Sequence, residues 1–221
     1  MHQQLIYVFP KSQNIFENFS DDVKDDCLII DKQKEALVIN MTERRLYASS
    51  VVLNKNTLWI VGGRKGRRTI STNTTEFITI NSNQEINQTK GPTLPFGISN
   101  HCMIHYNSSA IYLIGGQKTS TEMSKEVWII DPTKNFTLKE GPPLLNSSRF
   151  MGVCAKMKVN NKEIIVIGGG EVFSENMDSF IAYDSVELLF PTGWVEGIYI
   201  CIQRVLGLNS LVFRSFYPTY S

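Results

Sequence analysis

The sequence lacks any run of about 18 apolar residues, the length that a transmembrane helix requires. Its most apolar stretch, residues 198–213, is interrupted by Gln203, Arg204 and Asn209. The chain also lacks an excess of one charge, since its formal net charge is +1. We therefore expect no membrane span and, on charge grounds, no nucleic-acid partner.

Recognisable catalytic and metal-binding patterns are also missing. Histidine occurs three times, and His101 and His105 share one face of a predicted strand without a carboxylate or third ligand at readable spacing. The four cysteines include no CxxC pair, the spacing typical of zinc and redox sites. No Ser-His-Asp elbow, phosphate-binding loop or carboxylate pair is present. The sequence therefore predicts no enzyme, no metal ion and no cofactor.

The sequence does contain a repeat. An apolar strand that ends in two glycines occurs at residues 58–63, 111–116 and 164–169, at intervals of 53 residues. A further step back reaches residues 5–10, where Pro10 replaces the second glycine. We predict a degenerate first copy at 1–43, followed by copies at 44–90, 91–141 and 142–197. Glycine permits positive φ and a close backbone neighbour. The predicted structural glycines are Gly62, Gly63, Gly115, Gly116, Gly168 and Gly169.

Each copy has the composition of four short strands. In the second copy they are predicted at residues 47–53, 57–61, 75–80 and 85–88. The third strand of later copies is predicted at 127–131 and 180–184, which aligns the aromatic residues Phe77, Trp128 and Phe180. Bends rich in glycine and proline follow at 91–95 and 141–145. A single sheet of this kind cannot bury both apolar faces, so neighbouring sheets are expected to stack.

This combination resembles the kelch-repeat superfamily over residues 5–197. The resemblance implies an all-β fold, a kelch-type β-propeller with about four blades. Since propellers of the family usually close with about five to seven blades, the chain is expected to be an open arc or a fragment of a larger ring. The family's outermost-strand tryptophan is present only as Trp194. Its innermost-strand arginine is kept as Arg45 and Arg149, with Ile98 between them.

The segment 198–221 fits the repeat badly and is predicted to be a divergent C-terminal extension. It is interpreted either as a loosely held tail or as a last strand that closes the ring against the first copy.

The resemblance implies a partner-binding face made of long loops. The charged residues expected there are Arg44, Arg45, Arg64, Lys65, Arg67, Arg68 and Arg149. Guanidinium groups pair bidentately with carboxylates, so these residues favour an anion or an acidic peptide. An alternative is that the basic loop is solvated or neutralised by the acidic stretch at 21–26. For Arg45 and Arg149, holding loop carbonyls is favoured over contacting a ligand.

Seven Asn-x-Ser/Thr sequons occur where chance composition gives roughly three. They begin at Asn18, Asn40, Asn73, Asn87, Asn107, Asn135 and Asn146. This excess favours an extracellular, N-glycosylated chain, although no secretory signal is visible at residue 1. A cytoplasmic location is the alternative, because Asn, Ser and Thr also concentrate in loops.

The cysteines are Cys27, Cys102, Cys154 and Cys201. Cys102 and Cys154 fall in the predicted innermost strands of successive copies, so a bridge between them is conceivable. Buried free thiols are the favoured interpretation.

The sequence thus predicts a non-catalytic module that binds a protein partner through its loop-rich face. One alternative is a cytosolic kelch adaptor fragment that serves a ubiquitin ligase or actin. Another is a carbohydrate-active or oxidase-like propeller enzyme, since the same fold hosts several functions.

Overall fold

A computed structural model describes residues 7–10, 26–30, 36–66, 70–81, 85–119, 121–144, 148–159, 161–173, 180–182 and 185–196. Within these residues the chain is all-β, with one 3₁₀ turn at Pro132–Lys134 and no α-helix. No helix in this part of the chain is long and apolar enough to cross a membrane. The C-terminal segment 198–221 lies outside the described residues, and so do both interpretations of it.

The strands form antiparallel sheets, here numbered in chain order. Sheet 1 contains β1 (Tyr7–Pro10), β2 (Asp26–Ile30) and β3 (Ala36–Asn40). Sheet 2 contains β4 (Ser49–Val52), β5 (Thr57–Val61), β6 (Thr75–Ile80) and β7 (Ile86–Lys90). Sheet 3 contains β8 (Cys102–Asn107), β9 (Ala110–Ile114), β10 (Val127–Asp131) and β11 (Thr137–Glu140).

Sheet 4 contains β12 (Val153–Val159), β13 (Lys162–Gly168), β16 (Val186–Phe190) and β17 (Gly193–Glu196). Between β13 and β16, the strands β14 (Glu171–Phe173) and β15 (Phe180–Ala182) form a separate hairpin. The predicted third strand at 180–184 is therefore wrong for sheet 4. That place belongs to β16, whose Val186 and Leu189 are buried, whereas Ile181 of β15 is 51% exposed.

The glycine pairs end the second strand of sheets 2 and 3, as predicted. Gly62 and Gly63 have φ of 66° and 98°, and Gly115 and Gly116 have 63° and 97°. Sheet 4 differs by one residue. Its left-handed pair is Gly169 and Gly170, and Gly168 remains in β13, where it pairs with Val153 and Val186. The assignment of Gly168 to the turn was therefore wrong, because β13 continues for one more residue.

The glycines are required by the approach of the next sheet. A Cβ on Gly62 would lie 2.2 Å from the carbonyl oxygen of Ile98, and one on Gly115 would lie 2.3 Å from that of Arg149. The same two carbonyls accept hydrogen bonds of 2.8 Å from the amides of Gly63 and Gly116. The glycine pairs of sheets 2 and 3 thus hold the chain that enters the following sheet, which confirms the predicted close approach for these two pairs.

Sheets 2, 3 and 4 stack through shared apolar cores. Between sheets 2 and 3, Trp59 and Val61 pack with Ile111 and Leu113, and Phe136 lies 4.7 Å from the Trp59 ring between centroids. Between sheets 3 and 4 the buried residues are Ile114, Val127, Leu144, Ile165, Ile167, Leu189 and Trp194. Full burial of one such side chain contributes about 1.5–3 kcal/mol. The predicted stacking of neighbouring sheets is therefore confirmed for these three.

A disulfide joins Cys102 in β8 to Cys154 in β12, with Cα atoms 6.0 Å apart. The expectation of free thiols is wrong for this pair, because the first strands of adjacent sheets bring both residues within bridging distance. The Cys27 side chain and Cys201 lie outside the described residues.

Candidate functional site

The first strands of sheets 2, 3 and 4 are each preceded by a non-glycine residue with left-handed backbone. Tyr47, Asn100 and Met151 have φ of 59°, 54° and 58°. The Asn100 amide donates to the Tyr47 carbonyl at 2.9 Å, and the Met151 amide donates to the Asn100 carbonyl at 2.8 Å. These three residues, here named the turn row, therefore form a continuous backbone link across the three sheets.

The turn row combines backbone strain with exposure. Asparagine tolerates left-handed φ, whereas tyrosine and methionine adopt it at a cost of about 1–2 kcal/mol. Tyr47 is nevertheless 40% exposed and Met151 is 39% exposed. Strained residues that gain no burial in return are typical of functional surfaces. The end of the sheets that carries the turn row and the glycine pairs is named the turn face below.

A polar cluster lies beneath the turn row and consists of Arg64, Ser71, Ser99 and Gln117. Each of the four is at most 6% exposed. Arg64 Nε donates to Ser99 Oγ at 3.0 Å, and Arg64 Nη2 donates to the Gln117 side-chain oxygen. Ser71 Oγ donates to the Gln117 carbonyl at 2.7 Å. The Asn100 side chain reaches the Gln117 side-chain oxygen at 3.3 Å, which connects the cluster to the turn row.

The cluster holds a cation in a fixed position. Burial lowers the pKa of Arg64 below its ordinary value, and the nearby Tyr47 opposes that shift. Guanidinium remains protonated in proteins despite such shifts, so the group keeps its charge. Ser99, Gln117 and the Thr119 carbonyl are neutral acceptors of its hydrogen bonds. The arrangement therefore fixes the guanidinium group within the cluster.

Two other arginines hold the strand ends together. Arg45 Nη1 donates to the carbonyls of Gly62 and Thr74 at 2.8 and 2.9 Å, and Nη2 donates to Thr74 Oγ1 at 2.8 Å. Arg149 repeats the pattern in sheet 4 with Gly169 and Ser185. Arg45 is 2% exposed and Arg149 is 1% exposed. Both guanidinium groups thus hold loop carbonyls, the role favoured from the sequence.

The carboxylates that accompany these arginines were missed from the sequence. Glu187 Oε1 accepts from Arg149 Nη2 at 3.2 Å, and Glu76 occupies the corresponding place near Arg45. Both carboxylates are fully buried. In sheet 3 the corresponding places are filled by Ile98 and Trp128. The repeat itself contained this signal. Sheets 2 and 4 combine an entering arginine with a glutamate in the third strand, whereas sheet 3 combines an isoleucine with a tryptophan at the same two positions.

The predicted ligand-binding residues do not form one surface. Arg44 and Lys65 are exposed, whereas Arg45, Arg64 and Arg149 are buried. Arg67 and Arg68 lie outside the described residues. Ser99 and Gln117 were missed, although they follow Leu46 and Arg64 by one repeat and form the same backbone bridge.

The sequons divide into accessible and engaged positions. Asn87, Asn107 and Asn135 are exposed. Asn107 and Asn135 lie at the opposite end of sheet 3 from the turn face, and Asn87 lies near the start of β7. Asn73 is half-buried, and its side-chain nitrogen donates to the Leu94 carbonyl at 3.1 Å. The backbone of Asn40 lies in β3, and Asn18 and Asn146 lie outside the described residues.

His101, just before β8, and His105, within β8, lie in different environments. His101 is 6% exposed, and neither ring nitrogen has a hydrogen-bond partner among the described residues. Burial lowers the pKa of His101 to about 3. His105 Nδ1 lies 2.8 Å from the Val52 carbonyl oxygen. In the part of the chain that the structure describes, no group of three or more His, Cys, Asp or Glu residues is arranged to hold a metal ion.

The comparisons with known proteins add information on the fold. No protein-family profile matches the sequence. No curated protein matches it either. Among solved structures, the structure of YjhT is similar, with a TM-score of 0.57 and 14% identity over 79% of this chain. The match covers 52% of YjhT, so the chain spans about half the length of that structure. At this identity the likeness concerns the fold alone.

Proposed function

We propose that sheets 1–4 are blades of a kelch-type β-propeller, and that the chain corresponds to an open arc or to part of a larger ring. The repeat with its glycine pairs supports this proposal, as does the stacking of sheets 2, 3 and 4 through shared cores. The match to about half of a solved structure is consistent with a piece of a longer ring.

We further propose that the protein is a non-catalytic module that binds a protein partner through the turn face. The observation that carries this proposal is the exposure of Tyr47 and Met151 in strained backbone at equivalent places. Interfaces are enriched in tyrosine and methionine, and exposed strained residues are retained where they serve a function. The backbone hydrogen bonds of the turn row fix the main chain of both residues before a partner arrives.

The proposed partner presents a carboxylate to this face. Arg64 is buried below the turn row, and Arg44 and Lys65 are exposed nearby in sequence. Charges of one sign at a binding face accelerate association with an oppositely charged partner more than they raise its affinity. An acidic segment with one apolar anchor would therefore suit the turn face.

An extracellular, N-glycosylated chain is the compartment that we propose. The disulfide between Cys102 and Cys154 supports this, because such bonds persist in oxidising compartments. The exposed sequons at Asn107 and Asn135 lie away from the turn face, so sugars there would leave the proposed binding surface open.

The test uses a double variant, Tyr47→Ser with Met151→Ser, and a control, Ile181→Ser. Ile181 is 51% exposed in β15, so the control also removes exposed apolar surface. Both proteins are secreted from cultured cells and compared with wild type for binding to a panel of purified acidic and basic peptides by fluorescence polarisation. We expect wild type and control to bind acidic peptides, with at least a tenfold loss in the double variant. Equal binding by all three proteins, or by none, would contradict the proposal.

A further inference from the structure

A concave site lies between sheets 3 and 4, at the opposite end from the turn face. Its volume is about 240 Å³, and its lining includes Tyr106, Tyr112, Glu163, Leu189 and Phe190. Tyr106 is the penultimate residue of β8, Tyr112 is the middle residue of β9, and Phe190 ends β16. These three strands thus bring three aromatic residues to one groove, here named the aromatic groove.

The two tyrosines form perpendicular walls. Their ring centroids are 5.7 Å apart and their planes are inclined by 80°. Tyr106 is held in place because its hydroxyl donates to the Glu163 carbonyl at 2.9 Å. Burial and the neighbouring Tyr106 raise the pKa of Tyr112, so this ring carries a neutral hydroxyl at physiological pH. Perpendicular neutral rings present electron-rich faces from two directions.

One cation already lies close to an aromatic ring of this groove. The ammonium group of Lys156 already lies 6.0 Å from the Tyr106 ring centroid, near the limit of a cation–π contact. It also donates to the Tyr106 carbonyl at 2.9 Å, which holds it beside the Tyr106 ring. Glu163 is exposed and is an acidic residue of the lining. Lys158 lies opposite Glu163 on the neighbouring strand, and Lys162 precedes Glu163 in the chain. Because these lysines offset the negative charge of Glu163, a cationic ligand must gain binding energy from the aromatic rings as well.

We propose that the aromatic groove binds an N-trimethylammonium group. Such a group has diffuse charge and an apolar surface, so it gains cation–π energy from ring faces with a smaller loss of hydration than a primary ammonium. Leu189 and Ile165 supply an apolar floor for its methyl groups. This inference is independent of the proposed partner at the turn face.

The test measures binding of choline by isothermal titration calorimetry, with 3,3-dimethylbutanol as its neutral isostere. We expect choline to bind at least tenfold more tightly than the isostere. Glu163→Gln and Tyr112→Leu are each expected to weaken choline binding by about fivefold to thirtyfold, as the loss of a carboxylate or a ring face would require. Lys156→Gln is expected to strengthen it, because a competing cation is removed from the Tyr106 ring.

The controls separate a specific site from a damaged fold. Glu163 is exposed, so Glu163→Gln should keep the wild-type thermal unfolding temperature. The turn-face double variant Tyr47→Ser with Met151→Ser should bind choline normally. A trimethyl-lysine peptide and phosphocholine vesicles then distinguish a protein from a lipid source of the same group. Absence of choline binding at millimolar concentration, or equal affinity for the neutral isostere, would overturn the proposal.

Discussion

Arg149 Nη2 lies 3.2 Å from Glu187 Oε1, and the two side chains are 1% and 0% exposed. This ion pair links the residue that enters sheet 4 to its third strand, and it is surrounded by hydrogen bonds to Gly169 and Ser185. Sheet 3 reaches the same backbone arrangement with Ile98 and Trp128. The buried pair is therefore one of two solutions that the chain uses for the same structural position.

The first prediction concerns this pair. Glu187→Leu is expected to lower the free energy of unfolding by about 3–5 kcal/mol, because it leaves the buried Arg149 charge without its carboxylate. The double variant Arg149→Met with Glu187→Leu should recover much of that loss, since apolar replacement of both partners is often tolerated. Urea denaturation of the three proteins measures both effects. A double variant less stable than the single one would contradict the interpretation.

The second prediction separates steric contact from backbone strain at glycine. Gly115→Ala is expected to cost about 3 kcal/mol or more, because its Cβ would lie 2.3 Å from the Arg149 carbonyl oxygen and backbone must move. Gly193 has a φ of 123° but no atom within 4 Å of a built Cβ. Gly193→Ala should therefore cost only about 1–2 kcal/mol. Similar unfolding midpoints for the two variants would show that the close approach is unimportant.

The third prediction is a pH dependence caused by His101. Its pKa is about 3 in the folded protein, below the ordinary value of about 6.5 expected after unfolding. The unfolded chain therefore binds this proton first, and stability falls as the pH decreases from about 6.5 toward 3. The expected slope is about 1.4 kcal/mol per pH unit.

His101→Leu should remove this component, because the variant cannot bind a proton there, and it removes two unpaired ring nitrogens as well. The difference in unfolding free energy between variant and wild type is measured by denaturant titration at pH 7.5 and 5. A difference that stays constant between the two pH values would exclude the role of His101.

The fourth prediction concerns the disulfide. Cys102 and Cys154 are separated by 52 residues, and the double variant Cys102→Ser with Cys154→Ser is expected to lose about 4 kcal/mol through the larger entropy of the unfolded chain. Guanidinium denaturation of oxidised and variant protein measures the loss. Mass spectrometry after alkylation without reductant should leave both cysteines unlabelled. Labelling of both in freshly secreted protein would contradict the bridge.

The sequence predicted the strands best where spacing and composition agreed. The strands β5 and β6 have the predicted bounds, because the hairpin loop and the glycine pair mark both ends of β5. Sheet 4 was mispredicted because Phe180 resembles the aromatic residue of the third strand, whereas burial selects Val186. Gly168, Gly169 and Gly170 are consecutive, so the sequence does not show which two of them form the turn. The pairing of Gly168 with Val186 places Gly168 in the strand.

The candidate site was less predictable than the fold. A basic stretch is usually solvated, so Arg64 was grouped with its exposed neighbour Lys65. Its backbone bridges Leu46 and Ser71, however, and this position directs the side chain into the polar cluster. The left-handed turn row has no local sequence signature either, because Tyr47 and Met151 are poor formers of that conformation. Only the approach of three sheets produces it.

The docking of each glycine pair on the sheet that follows has a consequence for biosynthesis. The amide of Gly63 finds its acceptor on Ile98, and that of Gly116 finds its acceptor on Arg149. Neither acceptor has left the ribosome when the glycine pair emerges. The hydrogen bonds of these two glycine pairs can therefore form only after the chain that enters the next sheet has been translated.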